Sequence, residues 1–238
     1  MFFSRKRVEL LSVDLHSHLI PNIDDGAQSL DQSTEMVKRF INSGFKKIIT
    51  TPHIHPRYPN VPHIIIDGLE KLQKELFKQK LEIEVEAAAE YYVDETFVER
   101  VSNDETILSF GDRYVLVESS FINKPIFFES TMFDLISKGY RPVLAHPERY
   151  KFLEGRIDWL EELKSSGILL QVTLGSVGGY YGKEPQRIAK LLLKKGIVDF
   201  LGSDLHHIKH FEYLIKGLES KEVKSAIKNG QIKNEELL

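Results

Sequence analysis

Cysteine is absent from the 238 residues of this chain. Its absence excludes disulfide bonds, thiolate metal ligands and any mechanism that uses a cysteine nucleophile. The sequence also lacks an apolar run close to the roughly 20 residues that cross a bilayer, so we expect no membrane span. An excess of basic residues is missing too, because the formal net charge is -3. Nucleic-acid binding requires a basic surface, and we therefore expect no nucleic-acid partner.

The N-terminus does not resemble a secretory signal. Met1–Phe3 is a short apolar stretch before the basic cluster Arg5–Arg7, whereas a signal peptide starts with basic residues and continues with a longer apolar region. We expect a frayed, solvated terminus, with contact to a membrane surface as the alternative. We expect a cytoplasmic protein; the lack of cysteine suits the cytosol but does not by itself identify the compartment.

Strand-like and helix-like segments alternate along the chain, and no linker rich in Pro, Gly or Ser separates them. Hydrophobic residues make up 42% of the sequence and charged residues 28%, which is typical of a globular protein with a substantial core. We therefore predict a single domain over residues 1–238. The predicted strands lie within 8–19 and at 46–51, 82–88, 114–117, 141–145, 168–173 and 197–201. The predicted helices are 29–43, 64–80, 127–138, 157–166 and 184–195, with two more after His207.

Alternating strands and helices predict parallel strands joined by right-handed crossovers. Seven strand–helix units predict an α/β fold in the form of a distorted (β/α)7 TIM-like barrel, one unit short of the eight-stranded form. A doubly wound open sheet is the alternative, and periodicity does not distinguish the two. Within the helix at 64–80, the apolar pattern predicts that four residues face the core, namely Leu69, Leu72, Leu76 and Phe77.

Polar clusters that contain histidine or aspartate follow four of the predicted strands. These clusters are Asp14-Leu15-His16-Ser17-His18, Thr51-Pro52-His53, Ala145-His146-Pro147-Glu148-Arg149 and Gly202-Ser203-Asp204-Leu205-His206. Two acidic residues, Glu90 and Glu118, end further apolar segments. A buried carboxylate is costly without a cation or a hydrogen-bonding network. Taken singly, each residue has an ordinary explanation as a turn histidine or a salt-bridged acid.

These residues are informative because they converge: most of the seven strand ends would deliver them to one rim. Histidine nitrogens and carboxylate oxygens that meet in this way predict a metal site. Ligands without sulfur favour Mn, Fe, Zn or Mg, and two or three divalent ions would bind an anionic substrate oxygen. Arg149 is suited to bidentate binding of a phosphate. The sequence therefore predicts a metal-dependent phosphoesterase. We read His63, His207 and His210 as bystanders, and His55 as ambiguous.

In combination, these motifs resemble the polymerase and histidinol phosphatase (PHP) superfamily. The segments Ile23-Asp24-Asp25-Gly26-Ala27 and His146-Pro147-Glu148-Arg149-Tyr150 are most similar to one branch of it, the bacterial manganese-dependent tyrosine phosphatases of capsular and exopolysaccharide loci. The similarity extends from about residue 13 to 207, which is nearly the whole chain.

The resemblance implies that the chain hydrolyses phosphotyrosine in the tail of a membrane-associated bacterial tyrosine kinase. It implies a trinuclear site, most often of manganese, in which a metal-bridging hydroxide attacks phosphorus and Arg149 is the catalytic residue that holds the phosphoryl oxygens. The implied ligands are His16, His18, Glu90 and Asp204 for one ion, Glu118 and His146 for a second ion to which Glu90 bridges, and Asp25, His53 and His206 for the third.

One feature of the family pattern is absent, and one alternative activity is open. The pattern includes a second arginine soon after the Asp-x-His motif, but residues 207–212 contain none, and Lys209 or His210 could replace it. The alternative activity is that of a small-molecule phosphatase, such as a histidinol-phosphate phosphatase. A non-catalytic metal-binding scaffold is disfavoured, because all nine implied ligand positions hold competent residues.

Overall fold

The computed structural model describes residues 11–153 and 157–238, and strands and helices alternate within them. The strands are β1 (Val13–Asp14), β2 (Lys47–Thr50), β3 (His53–Ile54), β4 (Glu84–Ala87), β5 (Glu90–Tyr92), β6 (Tyr114–Glu118), β7 (Arg141–Ala145), β8 (Leu169–Thr173) and β9 (Phe200–Gly202). The helices are α1 (Leu30–Ser43), α2 (Pro62–Lys78), α3 (Glu95–Ser102), α4 (Phe128–Ser137), α5 (Ile157–Ser165), α6 (Leu174–Gly178), α7 (Lys183–Lys195), α8 (Phe211–Leu218) and α9 (Lys221–Lys228). The first predicted strand, within 8–19, includes residues 8–10, which lie outside the described part of the chain.

The strands form two sheets, and every pairing between strands is parallel. One sheet has the order β1-β2-β4 and the other the order β3-β5-β6-β7-β8-β9. Only Thr51 and Pro52 separate β2 from β3, and only Ala88 and Ala89 separate β4 from β5. Strand β3 therefore continues β2, and β5 continues β4, after a break of two residues. The predicted α/β class with parallel strands is confirmed.

The first and last strands approach each other just beyond their carboxyl ends. An isolated parallel bridge joins Ser17 to Leu205. The backbone N–H of Asp204 donates to His16 O at 2.7 Å, and that of His18 donates to Leu205 O at 3.1 Å. Within the described residues, no ladder joins β1 to β9 before this point. The approach matters for the site, because these hydrogen bonds fasten two ligand-bearing segments to each other.

Both faces of the strands are buried, as a parallel sheet requires. Alternate strand residues such as Val13, Leu116 and Phe200 form a small apolar cluster. Their neighbours on the opposite face, among them Val117 and Leu201, join the larger cluster beneath the helices. The strand ends are therefore carried on a framework that packs on two sides.

Several local predictions are confirmed, and one is wrong. Helix α1 begins after Ser29, whose hydroxyl accepts from the Gln32 N–H, and it ends at Gly44 with φ 96°. The predicted inward position of Phe77 is wrong, since its side chain is 87% exposed while Leu76 is buried. Consecutive residues on a helix lie about 100° apart, and the two cannot share a narrow buried face. No helix in the described part of the chain is long and apolar enough to cross a membrane.

Candidate metal centre

All nine side chains that the family resemblance implies as metal ligands meet at the carboxyl ends of the strands. They form four overlapping groups, and within each group one nitrogen or oxygen of every residue lies within 4.8 Å of those of the others. The groups are His18, Asp25, His53 and His206; His16, His18 and Asp204; His16, Glu90 and His146; and His53, Glu90 and Glu118. Shared members make these groups one continuous cluster.

Glu90, the first residue of β5, lies at the centre of this cluster and is fully buried. Its Oε1 is 2.8 Å from His146 Nε2. Its Oε2 lies 3.2 Å from His16 Nε2 and 3.1 Å from His53 Nδ1. Neither Glu90 Oε2 nor His53 Nδ1 has a hydrogen-bond partner within the described residues. Because buried polar atoms without partners are costly, this donor set fits a bound cation.

The outer part of the cluster is more open than its centre. Asp25 is 52% exposed, and its Oδ1 lies 3.3 Å from His206 Nε2 and 3.5 Å from His53 Nε2. His53 therefore faces Asp25 with one ring nitrogen and Glu90 with the other, so it lies between two groups. The family assignment gives His53 to one ion with Asp25 and His206, whereas the geometry also groups it with Glu90 and Glu118.

Two histidines of the cluster are held in orientation by hydrogen bonds between their Nδ1 atoms and residues outside the cluster. His16 Nδ1 donates to Gln171 Oε1 at 2.9 Å, and His18 Nδ1 donates to Asp24 Oδ2 at 2.8 Å. Such contacts fix the ring and leave the opposite nitrogen free to bind a metal. The sequence motifs include Asp24 but assign no role to it or to Gln171. The only feature of the sequence that marks Gln171 is its amide side chain among the apolar residues of β8.

A close approach of the backbone at Gly202 brings these groups together. A Cβ at this position would lie 2.7 Å from His16 Cβ and 2.8 Å from Gln171 Nε2, so only glycine leaves room for the pair. His146 and Asp204 adopt left-handed backbone conformations, with φ 35° and 51°. Such conformations are uncommon outside glycine, and here they turn the chain sharply after a strand.

Arg149 lies beside the cluster and is held on several sides. Its guanidinium donates to Asp204 Oδ2 at 2.6 Å. The same oxygen accepts from the Tyr181 hydroxyl at 2.9 Å, while Asp204 Oδ1 faces His16 at 3.4 Å. The guanidinium carbon lies 4.0 Å from the centre of the Tyr181 ring and 4.7 Å from that of Phe121. Asp204 thus links the arginine to the histidine cluster, and sequence reasoning did not predict this role of Tyr181.

A cavity of about 300 Å³ opens onto the cluster. Arg149 lies in its wall together with apolar and aromatic side chains, among them Tyr58, Tyr92, Phe121 and Ile122. Lys209 and His210, the two candidates for replacing the family's second arginine, line a neighbouring groove instead. The cavity therefore combines a cationic group with walls that suit an aromatic ring.

Charges within the cluster shift the pKa values of its members in opposite directions. Burial alone would lower the pKa of His16, but the charges of Glu90 and Asp204 outweigh it and raise that pKa to about 9. Burial also opposes protonation of His53, but Glu90 and Glu118 outweigh it and raise the pKa of His53 to about 10. Burial lowers the pKa of His18 to about 4. Although burial opposes its ionisation, the histidines hold the pKa of Glu90 well below its usual range.

Comparison with known proteins finds relatives along most of the chain. The family model described as capsular polysaccharide synthesis, CpsB/CapC, matches residues 12–227. Tyrosine-protein phosphatase YwqE of Bacillus subtilis (strain 168) is 33% identical over 199 residues, covering 83% of this chain and 78% of the relative. Tyrosine-protein phosphatase CpsB of Streptococcus pneumoniae is 26% identical over 209 residues, covering 82% and 83%.

A solved structure agrees with these matches. It comes from work on YwqE from Bacillus subtilis and CpsB from Streptococcus pneumoniae, described as unique metal-dependent tyrosine phosphatases. It superposes with a TM-score of 0.82 at 29% identity and covers 92% of each chain. The matched range of the family model includes every residue of the histidine and carboxylate cluster. The branch that the motifs predicted is thereby confirmed, and the chain belongs to the CpsB/CapC family of capsular polysaccharide synthesis.

Proposed function

We propose that this chain is a metal-dependent phosphotyrosine-protein phosphatase. The observation that carries the proposal is the placement of Arg149 between the ligand cluster and an aromatic-walled cavity, linked to the cluster through Asp204. A phosphate monoester needs both features, cationic groups for its oxygens and a slot for the group that carries it. Membership of a family whose relatives are tyrosine-protein phosphatases supports the same activity.

The nine clustered residues are the metal ligands in this proposal, and they hold two or three divalent ions. Manganese is the first candidate, with Fe, Zn and Mg as others that nitrogen and oxygen donors accept. When bound, such ions supply a strong nucleophile from water at neutral pH and neutralise charge on the phosphoryl oxygens. The proposed ligands are His16, His18, Asp25, His53, Glu90, Glu118, His146, Asp204 and His206.

The chain's own groups then bind and orient the substrate. Arg149 offers its remaining N–H groups to the phosphoryl oxygens, because Asp204 and the rings of Tyr181 and Phe121 prevent the guanidinium from turning away. Tyr92 and Phe121 line the cavity and fit the phenyl ring of phosphotyrosine. A phenolate is a good leaving group and needs little acid assistance, which favours aryl over alkyl phosphates.

The remaining expectations from the sequence belong to this proposal. The whole chain, 1–238, is one domain whose two sheets close into a distorted seven-unit barrel, supported by the bridge between Ser17 and Leu205. The substrate is the phosphotyrosine tail of a membrane-associated bacterial tyrosine kinase of capsule or exopolysaccharide synthesis, supported by the family description. The enzyme acts in the cytoplasm, which a chain without cysteine suits.

A side-by-side rate assay on manganese-loaded protein tests the activity. We expect a phosphotyrosine peptide to be hydrolysed at least about tenfold more efficiently, in kcat/KM, than histidinol phosphate, because the aromatic walls fit an aryl ester. Chelation of the metal should abolish both rates, and added manganese should restore them. A preference for histidinol phosphate would assign the chain to the small-molecule phosphatases and overturn the proposal. If neither ester is hydrolysed, the scaffold interpretation gains support.

Metal binding should also release protons, and the raised pKa values of two ligand histidines set a lower limit on their number. Near pH 7 the metal-free protein holds protons on His16, with a pKa of about 9, and on His53, with a pKa of about 10. A metal ligand must give up its proton, so we expect these two histidines to release about two protons per chain. The release should fall as the pH rises through 9 and 10. Calorimetric titration in buffers of different ionisation enthalpy measures it, and a release that stays constant up to pH 10.5 would contradict the assignment.

A further inference from the structure

A tight turn directly after β3 places a second arginine at the cavity. The backbone N–H of His55 donates to Tyr58 O at 3.1 Å and that of Tyr58 donates to His55 O at 2.8 Å, which leaves Pro56 and Arg57 at the tip. The backbone N–H of Arg57 donates to His55 Nδ1 at 2.9 Å. Three hydrogen bonds and the ring of Pro56 thus fix the backbone from which the Arg57 side chain projects.

The turn is also fastened to the ligand cluster. Asn60, just after it, donates from Nδ2 to Ile23 O and to His53 O, both at 2.8 Å. The Tyr58 ring stacks on the His53 ring, with centres 5.7 Å apart and an angle of 13° between the planes. A cation held on a rigid turn loses little conformational freedom when it binds a partner. The backbone position of Arg57 is therefore fixed relative to the ligand cluster before a substrate binds.

Charge distinguishes the two arginines that line the cavity. Arg149 is paired with Asp204, and much of its positive charge is compensated there. Arg57 is exposed, and no carboxylate of the described residues lies within 4.0 Å of its side-chain nitrogens. The uncompensated positive charge of the cavity wall therefore belongs to Arg57. It lies at the mouth of the cavity, where a bound polypeptide would leave the site.

We propose that Arg57 is a specificity-determining residue that binds the carboxylate of an acidic residue next to the phosphotyrosine in the substrate polypeptide. The proposal rests on the proposed function, since it needs a phosphotyrosine in the site. Arg149 lies against the ligand cluster and serves the phosphoryl group, whereas an exposed arginine at the mouth meets the residues that flank it. A carboxylate matches the planar guanidinium in charge and shape.

Two phosphotyrosine peptides that differ only in Glu or Gln beside the phosphotyrosine test this role. With the manganese-loaded full chain at low ionic strength, we expect the Glu peptide to have the lower KM by about three- to fivefold, the range of an exposed ion pair. Arg57→Gln should abolish this preference and Arg57→Lys should restore most of it. Added salt should weaken it, because exposed charges are screened. Lys71→Gln is the matched control, an exposed lysine of α2 outside the cavity, and should leave the preference unchanged.

Other results would overturn the assignment, and they separate it from the phosphatase activity itself. If Arg57→Gln raises KM equally for both peptides and for 4-nitrophenyl phosphate, the arginine binds the phosphoryl group. If the preference survives Arg57→Gln, or disappears in Lys71→Gln, the flanking carboxylate is bound elsewhere. In each of these cases the unsubstituted chain still hydrolyses both peptides. Failure of the unsubstituted chain on both peptides would instead reject the proposed function, and the role of Arg57 with it.

Discussion

Glu90→Gln is expected to remove most of the bound metal while the chain stays folded. The carboxylate lies within 3.2 Å of three imidazole nitrogens, from His16, His53 and His146. A glutamine has the same shape, but it removes the negative charge and replaces one oxygen with an amide nitrogen that does not bind metal. Loss of a group that merely supports a ligand costs about 10- to 100-fold in metal affinity. Loss of this central ligand should cost more than about 100-fold, and turnover should fall with it.

Metal content after dialysis, measured by elemental mass spectrometry, checks this expectation, and circular dichroism checks the fold. Glu82→Gln is the matched control, because Glu82 is exposed and lies a few residues earlier in the same stretch of chain. That variant should retain its metal. The ligand role of Glu90 is wrong if Glu90→Gln binds manganese with undiminished affinity.

Most members of the cluster could be placed from the sequence because they follow short apolar strands, whereas Asp25 lies in the loop before α1 and was implied only by the family resemblance. Parallel strands bring their carboxyl ends to one edge, so Glu90, Glu118 and His146 could be placed together without knowledge of their contacts. The same logic found Arg149, which shares a motif with His146. Apolar strands and the polar residues that follow them are local features, so they can be recognised in a single sequence.

Contacts between distant segments could not be predicted in this way. Gln171 bonds to His16 across 155 positions of sequence, and Tyr181 reaches Asp204 from the segment between two helices. Neither belongs to a motif. The sequence also could not show which ligands share an ion, because His53 has two ring nitrogens that face different carboxylates. Which nitrogen faces which group depends on side-chain geometry that spacing does not encode.

The structure also changes how the first motif works. His16 and His18 lie two residues apart in the stretch 8–19 that was predicted to contain the first strand, and alternate residues of a strand share a face. Strand β1 ends at Asp14, before either of them. Convergence instead comes from the contacts of His16 with Gln171 and of His18 with Asp24, which turn both Nε2 atoms inward to 3.3 Å from each other. The two side chains do lie together, although strand geometry is not the cause.

Arg149→Ala is expected to lower kcat about 100- to 1,000-fold, the cost of removing one strong donor to the charge that develops in a transition state. Metal content should stay close to that of the unsubstituted chain. Asp204 faces the histidines with Oδ1 and the arginine with Oδ2, and Tyr181 still donates to Oδ2 after the substitution. Parallel measurements of kcat, KM and bound manganese distinguish this result from that of Glu90→Gln, in which activity and metal are lost together.

Arg149→Lys separates charge from geometry at the same position. A lysine keeps the positive charge but lacks the planar fork, and its ammonium group stacks less well between Phe121 and Tyr181. If Arg149 acts by bidentate binding of phosphoryl oxygens, the lysine variant should recover only a small part of the lost turnover. Full recovery would show that a point charge is sufficient. Unchanged turnover in the alanine variant would show that Arg149 takes no part in catalysis.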